Sequence, residues 1–134
     1  MGIGEPFDNF DNVINAIGIL NNPNGLNIGA RHISISTSGL VPGIYRLAEE
    51  NIQCTLSISL HATTNEKRSE MMPVNNAFPI EELLKACKDY IEKTNRRISF
   101  EYALAKDNND NLEDAKRLVK LLKGMIYRLY QKCA

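Results

Sequence analysis

The opening residues carry the first candidate for chemistry. Residues 1–6 read MGIGEP, a glycine-rich stretch that ends in a carboxylate and a proline. Glycine lets the backbone approach a ligand closely, proline fixes the direction of the chain, and a carboxylate accepts hydrogen bonds from an ammonium group. The pattern predicts a cofactor loop at Gly4 and Glu5. It also suggests that a strand precedes this loop in a larger enzyme.

Two further polar clusters directly follow β-branched apolar runs. Ser36 opens the sequence STSG after one run, and Ser59, Leu60 and His61 follow the next. A third run places Glu101 in a comparable position. Because polar residues at successive strand ends converge on one edge of a sheet, these residues predict a binding face.

Each candidate also has a structural explanation. Taken alone, His61 is more typical of a structural hydrogen-bonding residue than of a ligand contact, and His32 is expected to be structural. Glu101 falls within a strand that should be buried, so it is expected to point inward and to need a partner such as an arginine. Five basic residues either contact nucleic-acid phosphates, if they share that edge, or form solvated surface charge: Arg31, Lys67, Arg68, Arg96 and Arg97.

Composition narrows the class of protein. The chain has 134 residues, of which 43% are hydrophobic and 24% charged, and its sixteen basic and sixteen acidic residues cancel. No global field therefore steers it to nucleic acid or to an anionic membrane. Three cysteines, an odd number, lie far apart, and Cys54 and Cys87 sit in apolar patterns that predict buried side chains. A reducing cytosol is the expected location, and neither secretion nor membrane insertion is expected.

Helical and strand periodicities alternate along the chain. Helices are predicted from a cap at Asp8 or Asn9 to residue 21, from Pro42 to residue 48, from Pro79 to residue 94, and over residues 112–122. Strands are predicted over residues 33–36, 54–60 and 98–104. Strands separated by helices imply right-handed crossovers and a parallel sheet, hence an α/β fold that binds ligands beyond the carboxyl ends of its strands.

Six segments, in order and at their spacing, resemble the RlmN/Cfr family of radical S-adenosylmethionine RNA methyltransferases. They are MGIGEPF (1–7), NGLNIGARH (24–32), STSGL (36–40), SLHA (59–62), TNRR (94–97) and FEY (100–102). The likeness favours the RlmN branch. It implies methylation at C2 of an adenosine in 23S ribosomal RNA and in certain transfer RNAs. It also implies a partial (β/α) barrel with parallel strands, incomplete at both ends, that holds a [4Fe-4S] cluster and S-adenosylmethionine.

The resemblance also implies roles for individual residues. Gly4 and Glu5 would meet the methionine part of S-adenosylmethionine, and Ser36 would add a polar contact. Ser59, Leu60 and His61 would contribute hydroxyl, backbone and imidazole contacts. None of these is an acid–base role, because the difficult chemistry belongs to the cofactor. An electron donor such as flavodoxin is implied as a partner, and a cytoplasmic location is expected.

The chain also departs from the family pattern. The family's Cys-x3-Cys-x2-Cys motif lies upstream of the GxGEP loop, so no metal ligand is expected here, and the setting of Cys133 does not match the methyl-carrying cysteine. Residues 1–124 are expected to form the partial barrel and residues 125–134 an aberrant or truncated segment. Two interpretations stay open: part of an RNA methyltransferase, or a noncatalytic α/β remnant that binds S-adenosylmethionine or RNA weakly. Unpaired strand edges would favour self-association.

Overall fold

A computed structural model describes residues 4–133, with side chains described as far as residue 131. The helices are α1 (Phe10–Asn21), α2 (Val41–Glu49), α3 (Asn65–Met71), α4 (Ile80–Thr94) and α5 (Leu112–Leu122). The strands are β1 (Ser34–Thr37), β2 (Thr55–Ser59), β3 (Ile98–Leu104) and β4 (Tyr127–Cys133). Short 3-10 helices cover Pro6–Asn9, Ala30–His32 and Pro73–Asn76.

The four strands form one parallel sheet in the order β1-β2-β3-β4. Each connection between neighbouring strands contains a helix, as a parallel sheet requires. The predicted α/β class with parallel strands is therefore confirmed. No helix among residues 4–133 is long and apolar enough to cross a membrane.

The apolar face of the sheet forms the core against the helices. Leu56, Ile58, Ile98 and Phe100 are each 0% exposed, and the apolar faces of α2, α4 and α5 contribute to the same cluster. The apolar side chains of α4 recur at the spacing that places them on one side of a helix. The core therefore lies on one side of the sheet and leaves the other side available for a site.

Most predicted boundaries agree with the structure. The bounds of β3 and α5 match the prediction, and β1 and β2 differ from it by one residue. Pro79 is the N-cap of α4 rather than its first residue. Asn9 is the N-cap of α1, one of the two positions predicted, although its side chain makes no cap hydrogen bond.

Besides the short 3-10 helices, one α-helix and one strand lie where none was predicted. α3 follows β2, and its seven residues, NEKRSEM, contain a single apolar side chain at the end. Thr64 caps this helix by accepting a hydrogen bond from the Lys67 amide. β4 extends the sheet through residues of the C-terminal segment, pairing Ile98 with Tyr127 and Phe100 with Leu129.

Candidate functional site

The face of the sheet opposite the core carries hydroxyl groups. Alternation along the strands puts Ser34 and Ser36 of β1 on this face, and their neighbours in the register are Thr55 and Ser57 of β2. The Ser34 and Ser57 hydroxyl oxygens are 3.1 Å apart and hydrogen-bonded. Ser59, Ser99 and Glu101 continue the same face through β2 and β3. We call this surface the hydroxyl face.

A cavity of about 890 Å³ opens onto the hydroxyl face, where it runs along β1 and reaches Ser59 at the carboxyl end of β2. This volume is in the range of small-molecule sites, roughly 300–1,000 Å³. Its lining residues are Gly4, Glu5, Pro6, Asn9, Val13, Ala16, Ile17, Ile33, Ser34, Ile35, Ser36, Thr37, Ser38, Ser59 and Glu101. Among the described residues the lining thus includes two carboxylates and no lysine, arginine or histidine. The cavity favours a ligand that carries positive charge.

Glu5 fixes the loop at the mouth of this cavity. Its Oε2 accepts hydrogen bonds from the backbone amide and the hydroxyl of Ser38, both at 2.7 Å, and its Oε1 accepts one from the Phe7 amide at 3.2 Å. The Phe7 ring packs directly on Gly43 of α2, which holds the loop from the other side. A carboxylate has about four acceptor positions, and the bonds of Glu5 with described residues use three of them.

The other predicted contact residues divide into two groups. Ser36 and Ser59 line the cavity with Gly4 and Glu5. Leu60 is 0% exposed, and neither Leu60 nor His61 is among the lining residues. The structure therefore brings four of the six predicted residues to one cavity and places the other two behind it.

His61 adopts a left-handed backbone conformation, with φ at 57°. Its ring Nδ1 accepts a hydrogen bond from the Ala103 amide at 3.0 Å, and its carbonyl accepts one from Asn109 at 2.6 Å. Asn109 is 1% exposed, and its amide group also donates to the Ala103 carbonyl. These bonds tie the loop after β2 to the end of β3.

Arg68 of α3 is the main residue that the sequence analysis misplaced. Neither alternative considered for it, phosphate contact or solvated surface charge, is right, because Arg68 is 0% exposed. Its guanidinium donates to the carbonyls of Ser38 at 2.6 Å, Ser59 at 3.2 Å and Leu60 at 3.3 Å. A fourth bond, at 3.1 Å, goes to the side-chain oxygen of Asn75. Burial lowers the pKa of Arg68 to about 10, so the group stays protonated at neutral pH.

Lys67, the neighbour of Arg68, belongs to a second buried network centred on Asp114 of α5. The Asp114 side chain is 1% exposed and binds Lys67 at 2.8 Å, Arg117 at 2.9 Å and the Thr63 hydroxyl at 2.6 Å. Burial works to raise the pKa of Asp114, but the hydrogen bonds from Lys67, Thr63 and Arg117 outweigh it and hold that pKa well below its usual range. Lys67 also donates to the Asn108 carbonyl.

The remaining basic candidates lie away from the cavity mouth. Arg31 precedes β1, and Arg96 and Arg97 precede β3, so all three lie at the amino ends of the parallel strands. They do not share the edge occupied by Ser38 and Ser59. Arg31 lines a smaller cavity of about 350 Å³ that meets the larger one at Ser34 and Glu101.

The cysteines with described side chains are buried, as predicted. Cys54 and Cys87 are each 0% exposed, and burial raises the pKa of the Cys87 thiol to about 12. Cys133 lies in β4, opposite Leu104, and its side chain is outside the described residues. Within the part of the chain that the structure describes, no three histidine, cysteine or acidic side chains are grouped so that they could hold a metal. These residues therefore do not fit an iron–sulfur cluster.

A solved structure shares this fold. The crystal structure of a radical SAM methyltransferase from Sphaerobacter thermophilus superposes with a TM-score of 0.95 at 44% identity, over 98% of this chain and 38% of that one. No protein-family model matches the chain. The fold is thus that of a segment of a radical SAM methyltransferase.

Curated relatives refine this class. A probable dual-specificity RNA methyltransferase RlmN from Caldanaerobacter subterraneus is 64% identical over 126 residues, and one from Geobacillus kaustophilus is 55% identical over 125 residues. These matches cover 94% and 93% of this chain but only 37% and 34% of the relatives. By sequence, the chain is homologous to a segment of the RlmN proteins, and it spans about 37% of the length of the relative from Caldanaerobacter.

Proposed function

We propose that this chain forms the S-adenosylmethionine-binding part of an RlmN-type RNA methyltransferase. The observation that carries the proposal is the cavity on the hydroxyl face, lined by Glu5 and Glu101 and by no cationic side chain among the described residues. S-adenosylmethionine has a cationic sulfonium and an ammonium group, which two carboxylates attract. The same lining repels the phosphates of RNA, so RNA would approach from elsewhere.

Within this proposal, Gly4, Glu5, Ser36 and Ser59 contact the cofactor directly. Gly4 has a φ of +106°, which turns the backbone where few other residues could follow, and so lets the loop approach a ligand. Leu60 and His61 contribute indirectly, because they form part of the backbone of the loop after β2. The bound cofactor supplies the methyl group and the radical chemistry, while these residues bind and orient it.

The finer assignment follows the names of the relatives and the resemblance of the sequence motifs. The reaction is methylation at C2 of an adenosine in 23S ribosomal RNA and in transfer RNA, in the cytoplasm, with an electron donor such as flavodoxin. A [4Fe-4S] cluster belongs to the full-length enzyme. The described residues do not fit that cluster.

The alternative is a noncatalytic α/β module that at most binds S-adenosylmethionine or RNA weakly. The two proposals differ in whether methyl transfer to RNA occurs in the protein that contains this chain.

Calorimetric titration with S-adenosylmethionine and with S-adenosylhomocysteine tests the binding proposal. S-adenosylhomocysteine lacks the sulfonium charge, so it should bind to the unmodified chain more weakly than S-adenosylmethionine does. Glu101→Gln should weaken S-adenosylmethionine binding about tenfold, the loss of about 1.4 kcal/mol, and should reduce the preference between the two ligands. Glu113→Gln, on the exposed side of α5, is the matched control and should change neither affinity. Equal affinities for both ligands, or no saturable binding, would contradict the proposal.

A further inference from the structure

Arg68 joins the two loops that carry the predicted cofactor contacts. Its guanidinium donates to the Ser38 carbonyl after β1 and to the carbonyls of Ser59 and Leu60 at the end of β2. We propose that Arg68 is a positioning residue for the S-adenosylmethionine site, because it fixes these two loops relative to each other. This inference rests on the proposed function for its ligand, but not for its effect on the loops.

The bonds around Ser38 connect Arg68 to the mouth of the cavity. The Ser38 carbonyl accepts from Arg68, while the amide and hydroxyl of the same residue donate to Glu5. Ser59, which also bonds Arg68 through its carbonyl, lines the cavity beside Glu101. A shift of the guanidinium therefore moves both the residue that holds the Glu5 carboxylate and a residue of the cavity wall.

The guanidinium is itself held in place. Asn75 accepts a hydrogen bond from it, and the amide group of Asn75 donates to the Asn65 carbonyl at 3.2 Å and to the Ser69 hydroxyl at 2.9 Å. Asn75 is 3% exposed. Gly39 lies so close that an added Cβ would be 3.0 Å from the Arg68 Nη2 atom. The surroundings thus allow one orientation of the group.

An ordinary ion pair does not explain Arg68. Its four acceptors are three backbone carbonyls and an amide oxygen, and none of its hydrogen bonds with described residues reaches a carboxylate. A planar group with five donors can serve four oxygens on separate segments at once, whereas a lysine ammonium presents three donors from one point. This position therefore requires the planar, five-donor guanidinium of an arginine. The shorter ammonium group of Arg68→Lys should not hold both loops.

The test combines amide hydrogen exchange with ligand binding in Arg68→Lys. Exchange at the amides of Ser38, Gly39, Leu60 and His61 should become at least tenfold faster relative to the amides of β3 that pair with β4. The affinity for S-adenosylmethionine should fall about tenfold. Ile98→Val, a buried change at the amino end of β3, is the control for a general loss of stability. It should speed exchange without this local pattern and leave the affinity unchanged.

Two results would overturn the inference. One is an Arg68→Lys exchange pattern that matches that of Ile98→Val, since a merely structural residue would loosen the chain without favouring these loops. The other is an unchanged affinity despite loosened loops. If the unmodified chain does not bind S-adenosylmethionine, the proposed function fails instead, and the exchange pattern by itself still decides whether Arg68 fixes the loops.

Discussion

Two adjacent residues of α3 belong to two different hydrogen-bond networks, one centred on a buried cation and the other on a buried anion. Arg68 is a buried cation whose hydrogen bonds with described residues go to neutral oxygens, whereas Lys67 reaches Asp114, a buried anion with two cationic partners. Lys67 and Arg117 keep 28% and 41% of their side-chain surface exposed, but Arg68 keeps none. The Asp114 network can therefore release its cations to water, and the Arg68 network cannot.

The two networks also join different parts of the molecule. Arg68 joins the ends of β1 and β2, on which the cavity depends, while Asp114 joins α3 and the loop before it to α5. A buried donor with several neutral acceptors is costly to remove because each acceptor loses its partner. Changes at Arg68 should consequently affect stability more than changes at Asp114.

The largest effect is expected for Arg68→Met. Methionine fills much of the space but removes the Arg68 donor from the carbonyls of Ser38, Ser59 and Leu60, at about 1–3 kcal/mol for each group left unsatisfied. Leu60 loses least, because its carbonyl keeps the Ala62 amide as a donor. We expect the free energy of unfolding to fall by roughly 3–4 kcal/mol, measured by urea denaturation at neutral pH. A loss smaller than that of Asp114→Asn would reverse the comparison.

Asp114→Asn should be less damaging, with a loss of about 2 kcal/mol, because charge-assisted hydrogen bonds are weakened while the cations can turn to solvent. The loss should depend on pH. Hydrogen bonds depress the folded-state pKa of Asp114 against the opposing effect of burial, so its stabilisation is present above the unfolded-state value of about 3.9 and disappears as the pH falls below it. Urea titrations between pH 7 and pH 2 should show the two proteins converging in acid. A constant difference would exclude this role.

The smallest of these effects is expected for Gly39→Ala. Gly39 has a φ of +111°, and an added Cβ would lie 3.0 Å from Arg68 Nη2 and 3.2 Å from the Leu83 methyl groups. The strained backbone and the crowding should cost about 1.5 kcal/mol in thermal or urea unfolding. Gly18→Ala, in α1 with open space around the new methyl group, is the control and should be neutral or stabilising. Equal results for both variants would show that the guanidinium is not confined.

Much of the fold was predictable because apolar periodicity sets its elements. The residues of β3 and α5 have patterns that are strong over their whole length, and both were placed to the residue. α3 was missed because its stability comes from the Thr64 cap and from two basic side chains that bond other segments, and neither produces an apolar repeat. The threonine cap followed by Glu66 in the first turn was the available signal.

The site was predictable only where residue type and strand position agree. Ser36 and Ser59 follow from alternation along strands, and they line the cavity with Gly4 and Glu5. Arg68 could not be found in this way, because charge normally indicates exposure and three of its four acceptors are backbone carbonyls, the most distant 30 positions away. The roles of all six predicted contact residues remain predictions.

The hydroxyl face gives the cavity an adaptable chemistry. A serine hydroxyl can donate or accept, so the hydroxyls of Ser34 and Ser59 can match a ligand group of either polarity, and the bond between Ser34 and Ser57 can run in either direction. A ligand can therefore replace solvent along this wall without leaving either partner unmatched, whatever the order of donors and acceptors along its length. Selectivity then depends on the carboxylates of Glu5 and Glu101, which discriminate by charge.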